Sequence, residues 1–332
     1  MRILITGGAG FIGSYLAEAY LARGDEVYVI DDLSTGSLAN LKPLSRNPLF
    51  HFINDTILNR EIVLELIGIC DVVAHLAAAV GVKLIIDEPL KSIHTNIVGT
   101  EIVLELANKF RKKIFLASTS EVYGRNSQVP LNENDLRIYG PTQIARWSYA
   151  ATKAMDEFLA LAYYRTKQLP IIVARFFNTV GPRQTGQYGM VIPRFVGQAL
   201  RSEPITVFGS GMQTRNFTYV EDVVRGVIRL IDEPRAVGEI FNIGGNGEIS
   251  MNDLAARVKA IVGSSSPIRH IPYDQAYQEG FEDMERRVPD ITKIEKLIGY
   301  KNTYDLDAIL AKVVEYERTA LEPGIHADHG SV

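Results

Sequence analysis

The sequence has few of the residues that build covalent or metal cross-links. Its single cysteine, Cys70, excludes an internal disulfide and a zinc site made of cysteines, and its apolar neighbours predict a buried side chain. The six histidines show no metal-ligand spacing, so we predict no metal. No stretch reaches the roughly 18 apolar residues of a membrane helix, and the N-terminus lacks the pattern of a signal peptide. We therefore expect a cytoplasmic protein with no membrane partner.

An excess of positive charge is also lacking. Lys and Arg number 35 against 39 Asp and Glu, which gives a formal net charge of -4, and no dense basic run occurs. Nucleic acid is therefore not an expected partner, and a small molecule is. The 332 residues are 46% hydrophobic, enough to bury a large core in about two domains or one enlarged domain.

Short apolar runs alternate with helical patterns from the first residue, which is typical of successive βαβ units. The pattern predicts strands at residues 3–5, 26–30, 50–53, 72–76, 113–117, 170–175 and 239–243, with helices at 11–22, 90–108, 149–164 and 222–231. These elements predict an α/β fold, a Rossmann-type doubly wound parallel sheet.

A smaller, interleaved C-terminal α/β substrate lobe is predicted after the sheet. We assign residues 1–177 to the dinucleotide-binding domain, with 216–245 returning to it, and 178–215 and 246–320 to the lobe. Ser250 and Asp253 predict a helix start near Met251. Residues 321–332 are expected to be a disordered tail.

A glycine-rich turn, GxxGxxG at Gly7, Gly10 and Gly13, follows the first strand and opens a helix. Such a turn lets the backbone approach a pyrophosphate, and the helix N-terminus supplies amide donors. Asp31 and Asp32 follow about 20 residues later, where a carboxylate accepts hydrogen bonds from a ribose, and no arginine follows at once, so the pattern favours NAD over NADP. Further predicted cofactor contacts are Phe11, Ile12, Leu76, Ala77, Ala78 and Asp55, the last of which could equally be a solvated loop residue.

Tyr149 and Lys153 lie four residues apart, one helical turn, on the same face. An ammonium there can hold the phenol partly ionised, which makes a general base for a hydroxyl group, although the same spacing is common on ordinary surface helices. Thr119, Ser120 and Glu121 end the fifth strand, at the sheet edge where ligands bind. They can polarise a substrate oxygen or move a proton, or they can simply cap the next element.

Five stretches together make the chain resemble the extended short-chain dehydrogenases/reductases that act on nucleotide-activated sugars. They are TGGAGFIG at 6–13, STSEVYG at 118–124, SYAATK at 148–153, FFNTVGPR at 176–183 and FGSGMQTRNFTYVEDV at 208–223. The resemblance implies NAD as cofactor, a UDP-sugar or else a GDP- or dTDP-sugar as substrate, and a homodimer. It also implies oxidation of the sugar C4 hydroxyl by Tyr149 and Lys153, and these substrate contacts: Lys83, Asn178, Val191, Val207 in the backbone around 205–208, Arg215 and Arg287.

The outcome after C4 oxidation differs among such enzymes, and the resemblance favours a UDP-glucuronate decarboxylase. Glu121 in Thr-Ser-Glu, the stretch 146–149 and the segment 280–290 are similar to the bacterial decarboxylases, and Arg287 would hold the substrate carboxylate. Arg286 and Arg287 could instead pair with Glu282 and Asp283, or Arg287 could contact phosphates alone. A UDP-glucose or UDP-glucuronate 4-epimerase, a nucleotide-sugar 4,6-dehydratase and a non-catalytic nucleotide sensor remain alternatives.

Overall fold

The central element of the computed structural model is a parallel sheet of seven strands. The structure describes residues 1–81, 87–186, 190–276 and 284–321. The sheet strands are β1 (Arg2–Thr6), β2 (Glu26–Asp31), β3 (Phe50–Asn54), β4 (Val72–His75), β5 (Lys113–Thr119), β6 (Ile171–Phe176) and β11 (Ile240–Ile243). Their order is β11-β6-β5-β4-β1-β2-β3 and every neighbouring pair is parallel. The predicted Rossmann-type sheet is confirmed.

Helices pack on both faces of this sheet and in the later part of the chain. The described helices are α1 (Phe11–Ala22), α2 (Leu38–Leu41), α3 (Arg60–Ile69), α4 (Pro89–Phe110), α5 (Arg146–Lys167), α6 (Val191–Leu200), α7 (Val220–Asp232), α8 (Met251–Val262), α9 (Tyr273–Ala276), α10 (Thr292–Ile298) and α11 (Leu306–Leu321). Short 3-10 helices lie at Ser120–Tyr123 and Pro234–Ala236. None of the helices in the described part of the chain is both long and apolar enough to cross a membrane.

Alternation along β1 shows how the sheet separates two cores. Ile3 and Ile5 belong to one buried cluster, which includes residues of α1 and α7, whereas Leu4 belongs to another, which includes residues of α3, α4 and α5. Such alternation follows from the two-residue period of a strand. Both faces of the sheet are therefore buried.

The later part of the chain forms three small strand pairs. They are β7 (Thr179–Val180) with β10 (Thr218–Tyr219), β8 (Ile205–Phe208) with β13 (Ile268–Ile271), and β9 (Thr214–Asn216) with β12 (Glu248–Ser250). Apolar residues of α6, α8 and α11 join the same buried cluster as Ile3 and Ile5. The division into two lobes therefore stays a prediction.

Two local predictions can be compared with the observed ends of elements. Helix α8 begins at Met251, and the Ser250 side chain accepts a hydrogen bond from the Asp253 amide, so the predicted helix start is confirmed. Strand β5 runs two residues beyond the predicted end, to Thr119, and α5 begins at Arg146, three residues before Tyr149. Both extensions fix residues of the site on regular elements.

A buried polar network holds α5 against β5 and β6. Arg175 donates to both carboxylate oxygens of Glu157, each at 2.8 Å, and Ser118 donates to Glu157 at 2.6 Å. Arg175 also donates to the Tyr123 hydroxyl at 2.9 Å, which donates to Asn242 of β11 at 2.7 Å. Since a buried charge is stable only when fully paired, this network fixes the helix that carries Tyr149 and Lys153 relative to the strand that carries Thr119.

Candidate active site

One cavity of about 1340 Å³ opens at the carboxyl ends of the sheet strands. It brings together nearly all residues that the sequence predicts for cofactor and substrate: Gly7, Gly10, Phe11, Ile12, Gly13, Asp31, Asp32, Asp55, Leu76, Ala77, Ala78, Thr119, Ser120, Glu121, Tyr149, Lys153, Asn178, Val191, Arg215 and Arg287. Two predicted residues are not among the lining residues. The Val207 side chain is buried in the core and its neighbour Phe208 lines the cavity, so the predicted contact through the backbone of 205–208 stays a prediction. Lys83 lies outside the described residues.

The glycine turn is packed too tightly for any side chain. A Cβ on Gly13 would lie 2.3 Å from the Gly7 carbonyl oxygen and 2.7 Å from the Gly8 Cα. Gly7 has a φ of +71°, and a Cβ there would meet the Ala77 backbone. The sequence predicts that Gly13 allows helix and strand to pack; the structure shows that it allows helix α1 to pack on the turn itself. Because the N-cap Gly10 makes no side-chain cap, the first amides of α1 are available to an anion.

Substituting Gly13 by Ala is expected to disrupt this turn. The new methyl group would displace the Gly7 peptide, so we expect dinucleotide affinity to fall at least tenfold, by roughly 1.4 kcal/mol or more, and Tm to decrease. Calorimetric titration with NAD measures the first effect. Gly247→Ala is the control, because a Cβ at Gly247 meets nothing within 4 Å. Equal NAD affinity in the two variants would contradict this interpretation of the turn.

The acidic residues after β2 and β3 shape the same cavity. Asp31 accepts hydrogen bonds from the Ala9 amide at 2.9 Å and the Leu33 amide at 2.8 Å, while burial raises its pKa. Asp32 is exposed and accepts from the Ser34 amide at 3.0 Å. Asp55 accepts from the Asn59 side chain at 2.8 Å. Asp31 thus ties the glycine turn to β2, a second task besides the ribose contact that the sequence predicts.

Tyr149, Lys153 and Thr119 meet where α5 crosses the end of β5. The Thr119 hydroxyl lies beside the Tyr149 phenol, whose pKa it lowers, and it accepts a hydrogen bond from the Glu121 amide at 3.2 Å. Thr119 therefore does both things that the sequence left open: it caps the short helix that follows and it contacts the tyrosine. Ser120 is buried at the start of that helix. Lys153 donates to Asp156 at 2.9 Å, and both side chains are buried.

The electrostatics of Tyr149 differ from the prediction. Burial raises the pKa of the Tyr149 phenol, the negative charges of Glu121 and Asp156 raise it further, and the Thr119 hydrogen bond lowers it. The sequence predicts a lowered pKa because it considers Lys153 alone, whereas the structure gives that ammonium a carboxylate partner of its own. Ionising this phenol requires a further positive charge or a hydrogen-bonding substrate beside it.

Glu121 lies among three arginines from different parts of the chain. Its carboxylate is 2.8 Å from the Arg287 guanidinium and 3.4 Å from that of Arg146, with Arg215 also near. Burial alone would raise the pKa of Glu121, but Arg287, Arg146 and Arg215 together lower it to about 2. Glu121 is therefore ionised at neutral pH, and it does not act there as a proton donor.

Backbone hydrogen bonds hold Arg287 in this cluster. Its segment pairs with two others, since Thr214 donates to the Glu285 carbonyl at 2.9 Å and Leu131 to the Val288 carbonyl at 2.7 Å. Arg286 makes a bidentate ion pair with Glu248 at 2.8 and 2.7 Å. Arg286 and Arg287 thus pair with Glu248 and Glu121, whereas Glu282 and Asp283, their other predicted partners, lie outside the described residues.

The sequence did not single out Arg146 as a site residue. It is the first residue of α5, it is 7% exposed and it lines the cavity beside Tyr149. The signal was its spacing, because a residue three positions before Tyr149 lies on the same face of a helix. This spacing predicts a shared face only if residue 146 is already helical, and the sequence did not show that α5 begins there.

Sequence and structure comparisons agree with this geometry. The family model for GDP-mannose 4,6 dehydratase matches residues 4–313. A UDP-N-acetyl-alpha-D-glucosaminuronate decarboxylase of Bacillus cytotoxicus is 41% identical over 318 residues, covering 96% of this chain and 98% of that protein. UDP-glucuronic acid decarboxylase 4 of Arabidopsis thaliana is 38% identical over 301 residues, 91% of this chain and 65% of that protein.

Solved structures give the same fold. The UDP-glucuronic acid 4-epimerase of Bacillus cereus, in complex with UDP-glucuronic acid and NAD, is 32% identical with a TM-score of 0.87. The match covers 96% of this chain and 100% of that chain. The sequence motifs, the parallel sheet and these similarities lead to one conclusion. The chain belongs to the GDP-mannose 4,6 dehydratase family, within the short-chain dehydrogenases/reductases that its motifs resemble.

Proposed function

We propose that this chain is an NAD-dependent decarboxylase of UDP-sugar uronic acids. The observation that carries the proposal is the pair of guanidinium groups, Arg287 and Arg146, in the same cavity as Thr119 and Tyr149. Arginine binds carboxylates in a planar, often bidentate geometry. A decarboxylase needs such a group beside the residues that oxidise the sugar, because its substrate carries a carboxylate two carbons from the oxidised hydroxyl.

The residues of the glycine turn fit NAD. Gly7 and Gly13 leave no space for side chains at the turn, the first amides of α1 are uncapped, and the acidic Asp31 and Asp32 suit a ribose better than a 2′-phosphate. Bound NAD would supply a hydride acceptor and a positive charge on its ring. Several solved relatives are described as complexes with NAD, which supports the same assignment.

Each polar residue then has a defined task at the sugar. Tyr149 takes the proton of the C4 hydroxyl, and Thr119, which lies beside that phenol, orients the same oxygen. Lys153 binds the nicotinamide ribose. Arg287 and Arg146 bind the C6 carboxylate, which C5 separates from the new C4 ketone. The C5–C6 bond breaks, carbon dioxide leaves, the electron pair passes to the ketone oxygen, and C5 then takes a proton. Glu121 keeps the two guanidiniums in place and balances their charge, which replaces the proton-transfer role that the sequence suggested.

The mass of the product tests this function directly. The purified protein, supplied with NAD, is incubated with UDP-glucuronic acid and separately with UDP-N-acetylglucosaminuronic acid. We expect at least one of the two to lose carbon dioxide and yield a pentose or its 4-keto precursor. An unchanged mass for both substrates would refute decarboxylation.

A UDP-glucuronate 4-epimerase is the second candidate, favoured by the similarity to the Bacillus cereus epimerase. It would convert UDP-glucuronic acid to UDP-galacturonic acid with no change of mass, so chromatography of the isomers distinguishes it. Release of water instead would indicate a 4,6-dehydratase. No reduction of NAD with any UDP-, GDP- or dTDP-sugar would favour a nucleotide sensor.

The exposed apolar side chains of α4 and α5 support the proposal of a homodimer. Met155 and Phe158 of α5 are 53% and 60% exposed, and Leu90 of α4 is 83% exposed. Large apolar side chains with this much exposure are costly in water unless another surface covers them. Light scattering after size-exclusion chromatography should give twice the monomer mass, and a monomer would refute the proposal.

A further inference from the structure

A continuous row of buried polar side chains connects the wall of the cavity with Lys153. The Ala77 amide donates to the Thr6 hydroxyl at 3.1 Å, Thr6 lies 2.7 Å from Nδ1 of His75, and Nε2 of His75 lies 3.1 Å from the Thr100 hydroxyl. Thr6, His75 and Thr100 are each at most 1% exposed. The row begins at Ala77, which lines the cavity.

The row ends at Asp156. Lys153 donates to the Asp156 carboxylate at 2.9 Å, and the Thr100 hydroxyl lies beside the same carboxylate. Burial and the charge of Lys153 lower the pKa of His75 to about 3, so the ring is neutral and carries one proton. His75 therefore donates to one of the two threonine hydroxyls and accepts from the other.

We propose that Asp156 is a positioning residue that anchors Lys153 and joins it, through Thr100, His75 and Thr6, to the wall of the dinucleotide cavity. This inference rests on the proposed function, in which Lys153 binds the nicotinamide ribose and Tyr149 is the base. Lys153 lines the cavity and Asp156 does not, so Asp156 acts through Lys153.

A purely structural pair explains this arrangement less well. Burying an ion pair costs several kcal/mol of desolvation, so helices bury apolar residues where nothing else is required. The neighbouring Glu157 already fixes α5 to β6 through Arg175. The Asp156 carboxylate instead pairs with the ammonium of Lys153, which lines the cavity.

The charge of Asp156 also reaches Tyr149. The groups that act on the phenol are Thr119 at the end of β5, Glu121 in the short helix after it, and Asp156 on α5. The arginines 146, 215 and 287 are engaged with Glu121, and His75 of β4 is neutral. Asp156 raises the pKa of Tyr149. Asp156→Asn therefore lowers it. Since the base must be deprotonated, the acidic limb of the pH–rate profile moves to lower pH.

Asp156→Asn keeps the shape of the side chain and tests the proposal. We expect NAD affinity to fall about tenfold, the usual order for losing a charged hydrogen-bond partner, and the acidic limb to shift by about one pH unit. The matched control is Asp222→Asn. Asp222 is likewise fully buried and pairs with Arg225 three residues later and with Thr303, but it does not line the cavity. It should change neither quantity.

Equal NAD affinity and equal pH profiles for the Asp156 and Asp222 variants would overturn the proposal. If Asp156→Asn does not fold, Thr100→Val takes its place, because it removes the hydroxyl that links His75 to the surroundings of Asp156 and keeps the shape. We expect weaker NAD binding there too, by a few-fold, and unchanged binding would overturn the proposal. Calorimetry with NAD alone needs no substrate, so the result stands even if no uronic acid is turned over and the proposed function fails.

Discussion

Tyr149→Phe is expected to reduce kcat by about 1,000-fold, within the range usual for losing a general base. Phenylalanine keeps the ring and its packing on α5 but removes the hydroxyl beside Thr119. Rates of product formation from UDP-glucuronic acid, with NAD in excess, measure the loss. NAD affinity should change little, because the glycine turn is untouched.

The control for this variant is Tyr28→Phe. The Tyr28 hydroxyl donates to Glu26 at 3.1 Å on β2, outside the cavity, so its loss should leave kcat within about twofold, as is usual for surface changes. If Tyr149→Phe retained more than a tenth of the activity, the phenol could not be the base, and the mechanism built on it would be wrong.

Arg287→Met should separate ligands by their charge. We expect affinity for UDP-glucuronic acid to fall by roughly 100-fold, because truncating one side of a buried charge pair costs several kcal/mol. UDP-glucose has the same nucleotide and no carboxylate, so its affinity should fall much less. Calorimetry with both ligands in the presence of NAD gives the two ratios.

Arg235→Met provides the matched control for Arg287→Met. Like Arg287, Arg235 is an arginine paired with a glutamate, in this case through two contacts with Glu233. Arg235, however, is exposed and lies outside the cavity. It should leave both affinities unchanged. An equal loss of affinity for the two ligands in Arg287→Met would assign Arg287 to the diphosphate or to the fold, and the proposed carboxylate site would then be wrong.

Features with short spacing in the sequence could be predicted. The glycine turn depends on three residues within one turn of chain, and Tyr149 and Lys153 depend on one helical turn, so both follow from local geometry. The helix start at Ser250 and Asp253 is local in the same way. The parallel sheet follows from the alternation of strands and helices along the chain.

Features that depend on distant contacts could not be predicted. Glu121 meets Arg146 and Arg287 only after folding, and the sign of the Tyr149 pKa shift depends on burial that no spacing reveals. The resemblance assigned the backbone around Val207 to the substrate, but it did not show that strand alternation directs the Val207 side chain into the core and Phe208 toward the cavity. The i,i+3 spacing of Lys153 and Asp156 was visible, but only the structure shows that both are buried.

The transfer of hydrogen from the sugar C4 tests the central claim most directly. UDP-glucuronic acid with deuterium at C4 is mixed with the protein and NAD, the reaction is quenched within one turnover, and the cofactor and sugar are analysed by mass. We predict deuterium on the reduced nicotinamide, together with a sugar nucleotide that has lost carbon dioxide. Carbon dioxide loss with all deuterium still at C4 and no reduced cofactor would contradict the account.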